Sequence, residues 1–190
     1  MRYYKMDNDA ENFRWIEAKN IVWNDVTEKV LDAQSVGDIV CDNEFTVIDD
    51  DPKCVLGDHP VFCVPVISLK AREVLEGLWE GKVEYITIKI EGYEYYIVNV
   101  LNVLPILDEQ NSDIIKFSSS SDKIMEIKKY SFFDYDGKLT NIFKIKNYER
   151  GGVFINEAVY QRILSEKLLG FELKPTDLPY ENPFQKLLRK

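Results

Sequence analysis

Histidine is almost missing from this sequence. His59 is the single histidine among 190 residues. A catalytic triad that uses histidine would have to be built on His59, which lies in the turn-like stretch LGDHPVF, and no neighbouring residue completes such a triad. A structural or surface role for His59 is therefore favoured over a catalytic one.

Cysteine is also scarce, with three residues in the chain. This is too few for the disulfide framework of a small secreted fold. Cys41, Cys54 and Cys63 lie near His59 in the sequence, and the four residues together form the ligand set of a Cys₃His zinc site. Their spacing is irregular and contains no C-x₂-C pair, and Cys41 and Cys63 suit buried apolar positions. We expect no metal and no other cofactor.

Long apolar runs, a secretion signal and the common catalytic motifs are missing too. No apolar segment approaches the roughly 20 residues that a membrane span requires, and MRYYKMDNDAENF lacks the apolar stretch of a signal peptide. There is no G-x-S-x-G, P-loop, G-x-G-x-x-G or H-E-x-x-H pattern. These absences predict a cytoplasmic protein that has no membrane partner and is not an enzyme.

Positive charge is scarce relative to negative charge. The chain has 24 Lys and Arg against 33 Asp and Glu, a formal net charge of −9. Such a chain repels phosphate backbones, so we expect no nucleic-acid partner. It would attract a basic protein, although solubility alone also explains the acidity.

Two acidic loops are candidates for contact with a basic partner. One contains Asp49, Asp50 and Asp51, and the other, DYDG, contains Asp134 and Asp136. DYDG lacks the remaining ligands of a calcium loop and therefore predicts a turn. The plainer interpretation of both loops is that they are solvated surface.

What the chain does contain predicts one α+β fold of mainly antiparallel sheet hairpins with about two main helices. Apolar residues make up 45% of the sequence, enough for a substantial core. We divide the chain into a strand and loop region at 1–60 packed on the same domain, a core at 61–174 and a tail at 175–190. Ser68 and Asn156 are the predicted N-caps of the two helices, which end near Gly81 and Gly170.

Two β-hairpins are predicted between the two helices. KVEYITIKI and YEYYIVNVLNVL flank the tight turn Glu91-Gly92. KIMEIKKYSFF at 123–133 and LTNIFKIKN at 139–147 flank DYDG, while 111–122 with its serine run predicts a loop. The segments that begin VFCVPVISLK and VFINEAVYQR share one order of strand, capped helix, glycine and strand, which suggests one unit used twice.

Two asparagines interrupt the apolar run EYYIVNVLNVLPILDEQNSD at 94–113. In a straight strand Asn99 and Asn102 point to opposite faces, so they cannot line one site. A buried amide without partners would cost about 1–3 kcal/mol. We therefore predict that each amide binds the backbone of a crossing segment, with partner binding as the alternative interpretation.

The same run resembles a bacterial immunity-protein family of polymorphic toxin systems. The similarity lies in the Tyr-Tyr pair, the N-V-L-N core, and then Asp108 and Ser112. ISLKAREVLEGL is similar to the family's first helix, and IFKIKNYERGGVFINEAVYQRILSEKLLGFEL is similar to its closing strand, helix and strand. The resemblance covers 61–174 and hardly touches the first 60 residues.

This resemblance implies a protein that binds a cognate toxin in the producing cell and blocks it, and it carries no catalytic residue. A basic toxin such as a nuclease would suit the negative charge. Two alternatives remain open: a small-molecule-binding or regulatory module, and an uncharacterised enzyme that uses carboxylates and His59.

Overall fold

Two five-stranded sheets and a separate two-stranded sheet form the strand structure of the described chain. The computed structural model describes residues 1–19, 23–37, 44–48, 54–118 and 122–177, without the side chains of residues 23 and 24. The predictions for Cys41 and for Asp49, Asp50 and Asp51 lie outside these residues, as does the tail beyond residue 177.

The strands and helices follow one another in the order β1 (Tyr3–Asn8), β2 (Ile16–Ala18), α1 (Trp23–Leu31), β3 (Glu44–Val47), β4 (Val66–Ser68), α2 (Leu69–Trp79), β5 (Val83–Ile90), β6 (Tyr93–Val100), β7 (Val103–Leu104), β8 (Asp113–Lys116), β9 (Ile124–Lys129), β10 (Ile142–Ile145), a 3-10 turn (Glu149–Gly151), β11 (Val153–Asn156), α3 (Glu157–Ser165) and β12 (Phe171–Pro175). No helix among these is both long and apolar enough to cross a membrane. The predicted α+β class is confirmed.

The first sheet combines the first strand of the chain with its last strands. Its order is β12-β1-β11-β10-β7, and β1 pairs antiparallel with both β11 and β12. β10 pairs antiparallel with β11 and parallel with β7. Strand β1 thus lies between two C-terminal strands and joins them.

The second sheet contains the predicted hairpin around Glu91-Gly92. Its order is β2-β3-β5-β6-β4, and β5 and β6 pair antiparallel along their full length. The two turn residues have φ of 50° and 87°, the left-handed conformation that a tight hairpin turn requires. This hairpin is confirmed.

One strand–helix–strand unit occurs twice, once in each sheet. In the second sheet α2 connects β4 to β5, and β6 lies between those strands; in the first, α3 connects β11 to β12, with β1 between them. Ser68 Oγ accepts from Ala71 N at 3.1 Å and Asn156 Oδ1 accepts from Val159 N at 3.2 Å. Both predicted N-caps are therefore confirmed, because each side chain accepts from the first turn of its helix.

The two units share one apolar core, in which α2 and α3 pack against each other and against their own sheets. The other face of the second sheet packs against α1, and the other face of the first sheet is covered by the β8–β9 hairpin. The shared core includes these buried residues: Tyr4, Met6, Ile67, Leu75, Trp79, Val98, Ile142, Ile155, Val159 and Ile163.

The second predicted hairpin is wrong. Strand β9 pairs with β8, which lies inside the stretch predicted to be a loop, and β10 pairs with β11 and β7 instead. Local alternation identified β9 and β10 as strands, but their partners are chosen by burial against the first sheet, where Ile127 and Phe143 share a core.

Candidate partner-binding cleft

Asn102 holds the segment before β10 in place. Its Nδ2 donates to the carbonyl oxygens of Leu139 and Ile142, both at 2.7 Å. Asn102 follows the end of β6 and is partly buried. The amide therefore binds the backbone of a crossing segment, the kind of contact that a structural role requires.

Asn99 makes a comparable contact on the face of β6 that meets α1. It is fully buried, and its Nδ2 donates to Gln34 O at 2.8 Å and to Glu84 Oε2 at 3.1 Å. Its Oδ1 has no hydrogen-bond partner within the described residues. Asn99 thus fixes the segment that leaves α1, and whether either asparagine also serves a partner stays a prediction.

Asp108 and Ser112 form a turn that leads into β8. Asp108 Oδ1 accepts from the N–H groups of Gln110 and Asn111, and Ser112 N donates to Asp108 O at 3.0 Å. Ser112 Oγ also accepts from Ser131 N at 2.9 Å. These contacts join the start of β8 to the residues that follow β9, so both side chains act inside the fold.

A cleft of about 970 Å³ opens where the C-terminal end of α2, the N-terminal end of α3 and the DYDG loop meet. The two helices bring their ends together because α2 and α3 pack in the shared core. Its lining contains the residues Met1, Leu78, Glu80, Asp136, Asn141 and Glu157.

The floor of the cleft is a chain of amide hydrogen bonds. Asn141 Nδ2 donates to Leu78 O at 2.9 Å, and Asn156 Nδ2 donates to Asn141 Oδ1 at 2.9 Å and to Gly137 O at 2.7 Å. The cap of α3 is thereby connected to the end of α2 and to the loop. Satisfied polar groups of this kind make the cleft a preformed surface.

The charges at the cleft are of both signs. Glu80, Asp136 and Glu157 line it together with Lys82 and Lys138. Glu157 is held in place, since its Oε2 accepts from Tyr4 at 2.6 Å. Burial and this bond to Glu157 raise the pKa of Tyr4 to about 12. Such a surface suits polar contacts with a protein chain.

The structure brings one of the two predicted acidic loops to this cleft. Asp134 and Asp136 are both exposed, and Asp136 Oδ1 accepts from Lys138 N at 2.8 Å, as in an Asx turn. Sequence reasoning missed the contribution of Glu80 and Glu157, which lie far from DYDG in the chain. The only local signal was the Asn156 cap, which placed Glu157 at a helix start.

His59 is buried in the core rather than exposed in a site. It is 1% exposed and lies against Phe171, with ring centroids 4.6 Å apart. Neither ring nitrogen has a hydrogen-bond partner among the described residues. Burial lowers the pKa of His59 to about 4, so the ring is neutral at physiological pH. A neutral ring with no carboxylate partner does not form a triad.

A smaller pocket of about 260 Å³ lies beside this histidine and is lined by Cys63 and Lys144 as well. Cys63 is exposed, so the interpretation of this residue as a buried apolar position is wrong, whereas Cys54 is buried. Within the described ranges no group of three His, Cys, Asp or Glu residues is arranged to hold a metal ion. Sequence reasoning missed Lys144, because its alternation with Lys146 is typical of exposed lysines.

The protein thus has an α+β fold with a preformed cleft between two helix ends. Comparison with protein families gives a match over residues 57–177 to the family described as Immunity protein family (Imm11). Since this match spans more than half of the sequence, the chain belongs to that immunity protein family. A search among curated proteins gave no match.

Family membership confirms the resemblance seen in the sequence. The matched range contains the N-V-L-N run, α2, α3 and every lining residue of the cleft except Met1. Membership supports an immunity role for this chain and suggests that it is not an enzyme.

Proposed function

We propose that this chain binds a cognate bacterial toxin in the cytoplasm of the cell that produces it and neutralises the toxin by occluding it. The observation that carries this proposal is the family match over residues 57–177. The preformed cleft supports it, because a rigid surface loses little entropy when a partner docks.

The partner that fits this chain best is a basic toxin, such as a nuclease. The formal net charge of −9 would accelerate encounter with a positively charged protein and would repel nucleic acid. Asp134 and Asp136 offer exposed negative charge beside the cleft. The loop with Asp49, Asp50 and Asp51 adds three more negative charges, and we assign both loops to the attraction of the toxin.

A second candidate function is binding of a small molecule. The cleft volume of about 970 Å³ favours it, since ligand pockets commonly fall between about 300 and 1,000 Å³. Against it, the cleft is wide open to solvent and charged side chains of both signs line it, whereas ligand pockets enclose most of the ligand's surface. Screening metabolites for a shift in melting temperature separates the two functions.

Co-purification tests the proposed function. The protein encoded beside this chain is expressed with it, with an affinity tag on this chain alone, and the eluate is examined by size-exclusion chromatography with light scattering. A complex of fixed stoichiometry that survives gel filtration is the expected result. Elution of this chain without the neighbouring protein, at micromolar concentrations of both, would contradict the proposal.

A further inference from the structure

The smaller pocket, of about 260 Å³, brings together parts of the chain that are far apart in the sequence. It is lined by the end of β1, the C-terminal end of α1, His59 and residues 62–65, Lys144 of β10, and residues 149–153. We call this cavity the His59 pocket. It is partly open to solvent, which gives a small ligand access to the groups in its wall.

Lys144 is a buried cation that forms no ion pair with a carboxylate of the described residues. It is 3% exposed, and its Nζ donates to Val30 O at 2.5 Å and to Leu31 O at 2.9 Å. An ammonium has three N–H donors, so one of them is left. Burial lowers the pKa of Lys144 to about 8, although the more distant charges of Asp32 and Glu149 oppose this shift. A buried charge normally has a partner of opposite sign close by, because it has lost its water.

His59 is a second buried polar group in the wall of the same pocket. Its side chain is 1% exposed, and neither ring nitrogen has a hydrogen-bond partner among the residues that the structure describes. The ring is neutral, so it has one N–H donor and one acceptor nitrogen. Buried polar groups of folded proteins nearly always have a partner. An ammonium without a counter-charge and an imidazole without a hydrogen bond therefore indicate a molecule held between them.

The other charged side chains of the lining have partners of their own. Asp7 binds Lys5 at 3.5 Å and Lys174 at 3.1 Å. Arg150 binds two carboxylates at the end of α1, and Glu149 accepts from a backbone N–H group. The buried donors that remain for a ligand are therefore the ammonium of β10 and the imidazole.

We propose that the His59 pocket binds a small monocarboxylate, whose two oxygens accept from Lys144 Nζ and from the ring N–H of His59. A carboxylate supplies acceptors and one negative charge, the two things that this pair of groups lacks. The apolar side chains of Leu31, Phe62 and Val64 line the same pocket and suit a short hydrocarbon body. The ligand would contact both α1 and the segment shared with the family. This binding is separate from the docking of a toxin.

The single histidine of the chain makes the test direct. In the full-length protein, prepared without a histidine tag and with ¹⁵N-labelled histidine, the ring nitrogens of His59 give the labelled side-chain NMR signals and need no assignment. Sodium butyrate and sodium benzoate are titrated at pH 7, with butyramide, benzamide and sodium chloride as matched controls. Because the pKa of His59 is lowered to about 4, a small drift in pH does not move these signals.

Three variants locate the binding. Lys144→Met removes the ammonium, and Cys63→Phe narrows the pocket at an exposed lining residue while keeping both donors. Lys146→Met is the matched control, because Lys146 is exposed and lies outside the lining. Each variant is first shown to melt cooperatively, and Cys63→Phe decides the test if Lys144→Met does not.

We expect both carboxylates to shift the ring signals of the parent chain and of Lys146→Met saturably, with half-saturation at about 1 mM or below. The amides should bind at least about tenfold more weakly, and Lys144→Met and Cys63→Phe should lose the shift. If neither carboxylate gives a saturable shift up to about 20 mM, the pocket holds water alone and the site is rejected. Equal binding of the amides would reject the carboxylate class. An undiminished shift in Lys144→Met or Cys63→Phe, in a variant that melts cooperatively, would place the binding elsewhere.

Discussion

Lys144 Nζ lies 2.9 Å from the carbonyl oxygen of Leu31, so a buried lysine of β10 holds the C-terminal end of α1. The same ammonium donates to Val30 O at 2.5 Å. A positive charge is favourable at this end of a helix, where carbonyl groups lack partners within the helix. Arg150 also binds this end of the helix, since it pairs with Glu28 on α1 and with Asp32, the residue that follows α1. The segment shared with the family thus fastens a helix that precedes it.

Removing this ammonium should loosen α1. Lys144→Met removes the Nζ donor from Leu31 O and one of the two donors from Val30 O, which also accepts from Ala33 N, so we expect the free energy of local opening of α1 to fall by about 1–3 kcal/mol. Hydrogen exchange of the amides of α1, relative to those of β6, measures the change. Lys146→Met is the control, because Lys146 directly follows β10 and its side chain is exposed. If the amides of α1 exchanged at the same rate in both variants, Lys144 would not stabilise α1.

Asn102 should be required for stability rather than for binding. Asn102→Ala takes the donor from Leu139 O and Ile142 O, and we expect it to lower the free energy of unfolding by about 1–3 kcal/mol. Exposed Asn111→Ala should cost less than about 0.5 kcal/mol. Urea unfolding gives both values. An Asn102→Ala protein with the full melting temperature and no toxin binding would show that the structural role is wrong.

The buried His59 should make the fold sensitive to acid. Its pKa is lowered to about 4 by burial, while in the unfolded chain it is near 6.5, so between these values the unfolded chain binds more protons. Stability is therefore fully present above pH 6.5 and is lost as the pH falls toward 4. The lost contribution is about 3 kcal/mol.

Replacing His59 separates this effect from the titration of carboxylates. His59→Phe removes the proton-binding group and keeps a ring against Phe171. Urea unfolding of both proteins at pH 7 and pH 4.5 should show a smaller drop in stability for His59→Phe. The same drop in both proteins would mean that His59 is accessible to protons in the folded state.

The DYDG loop should speed the encounter with the toxin. Asp134→Asn combined with Asp136→Asn keeps the side-chain acceptor for Lys138 N and removes two charges, so the association rate should fall several-fold at low salt. The difference should shrink toward 1 M salt, where the screening length is about 3 Å. Stopped-flow mixing measures these rates.

A double variant elsewhere controls for net charge. Asp25→Asn with Glu166→Gln removes the same charge from exposed positions on α1 and at the end of α3. If the two double variants slow association equally, the effect comes from the net charge of the whole chain, and the DYDG loop does not contact the toxin.

The sequence predicted the helix starts and the Glu91-Gly92 turn correctly, because their geometry depends on residues next to each other in the chain. Ser68 and Asn156 cap helices because each side chain reaches the backbone of the next turn, and Glu91-Gly92 makes a hairpin because its two residues adopt positive φ. The partner of β9 was not predictable in this way. Ile127 of β9 pairs with Ile114, which lies in a polar, serine-containing stretch that is equally typical of a solvent-exposed loop.

The candidate sites depended on distant contacts even more. At the cleft, the side-chain amides of Asn141 and Asn156 connect the two residues to each other and to Leu78 O. These residues are far apart in the sequence, and nothing in the local sequence around each one indicates that they come together. Likewise, His59 and Lys144 line one pocket although they are far apart in the chain. Lys144 looked like a surface residue because burial of a lysine depends on acceptors from a different element.

Rescue of cells tests the central claim most directly. The protein encoded beside this chain is expressed from an inducible promoter, with or without this chain, and surviving colonies are counted. The account predicts that the neighbouring protein kills when it is expressed alone and that survival returns when this chain is present. A neighbouring protein that is harmless, or that kills equally with and without this chain, would contradict the account.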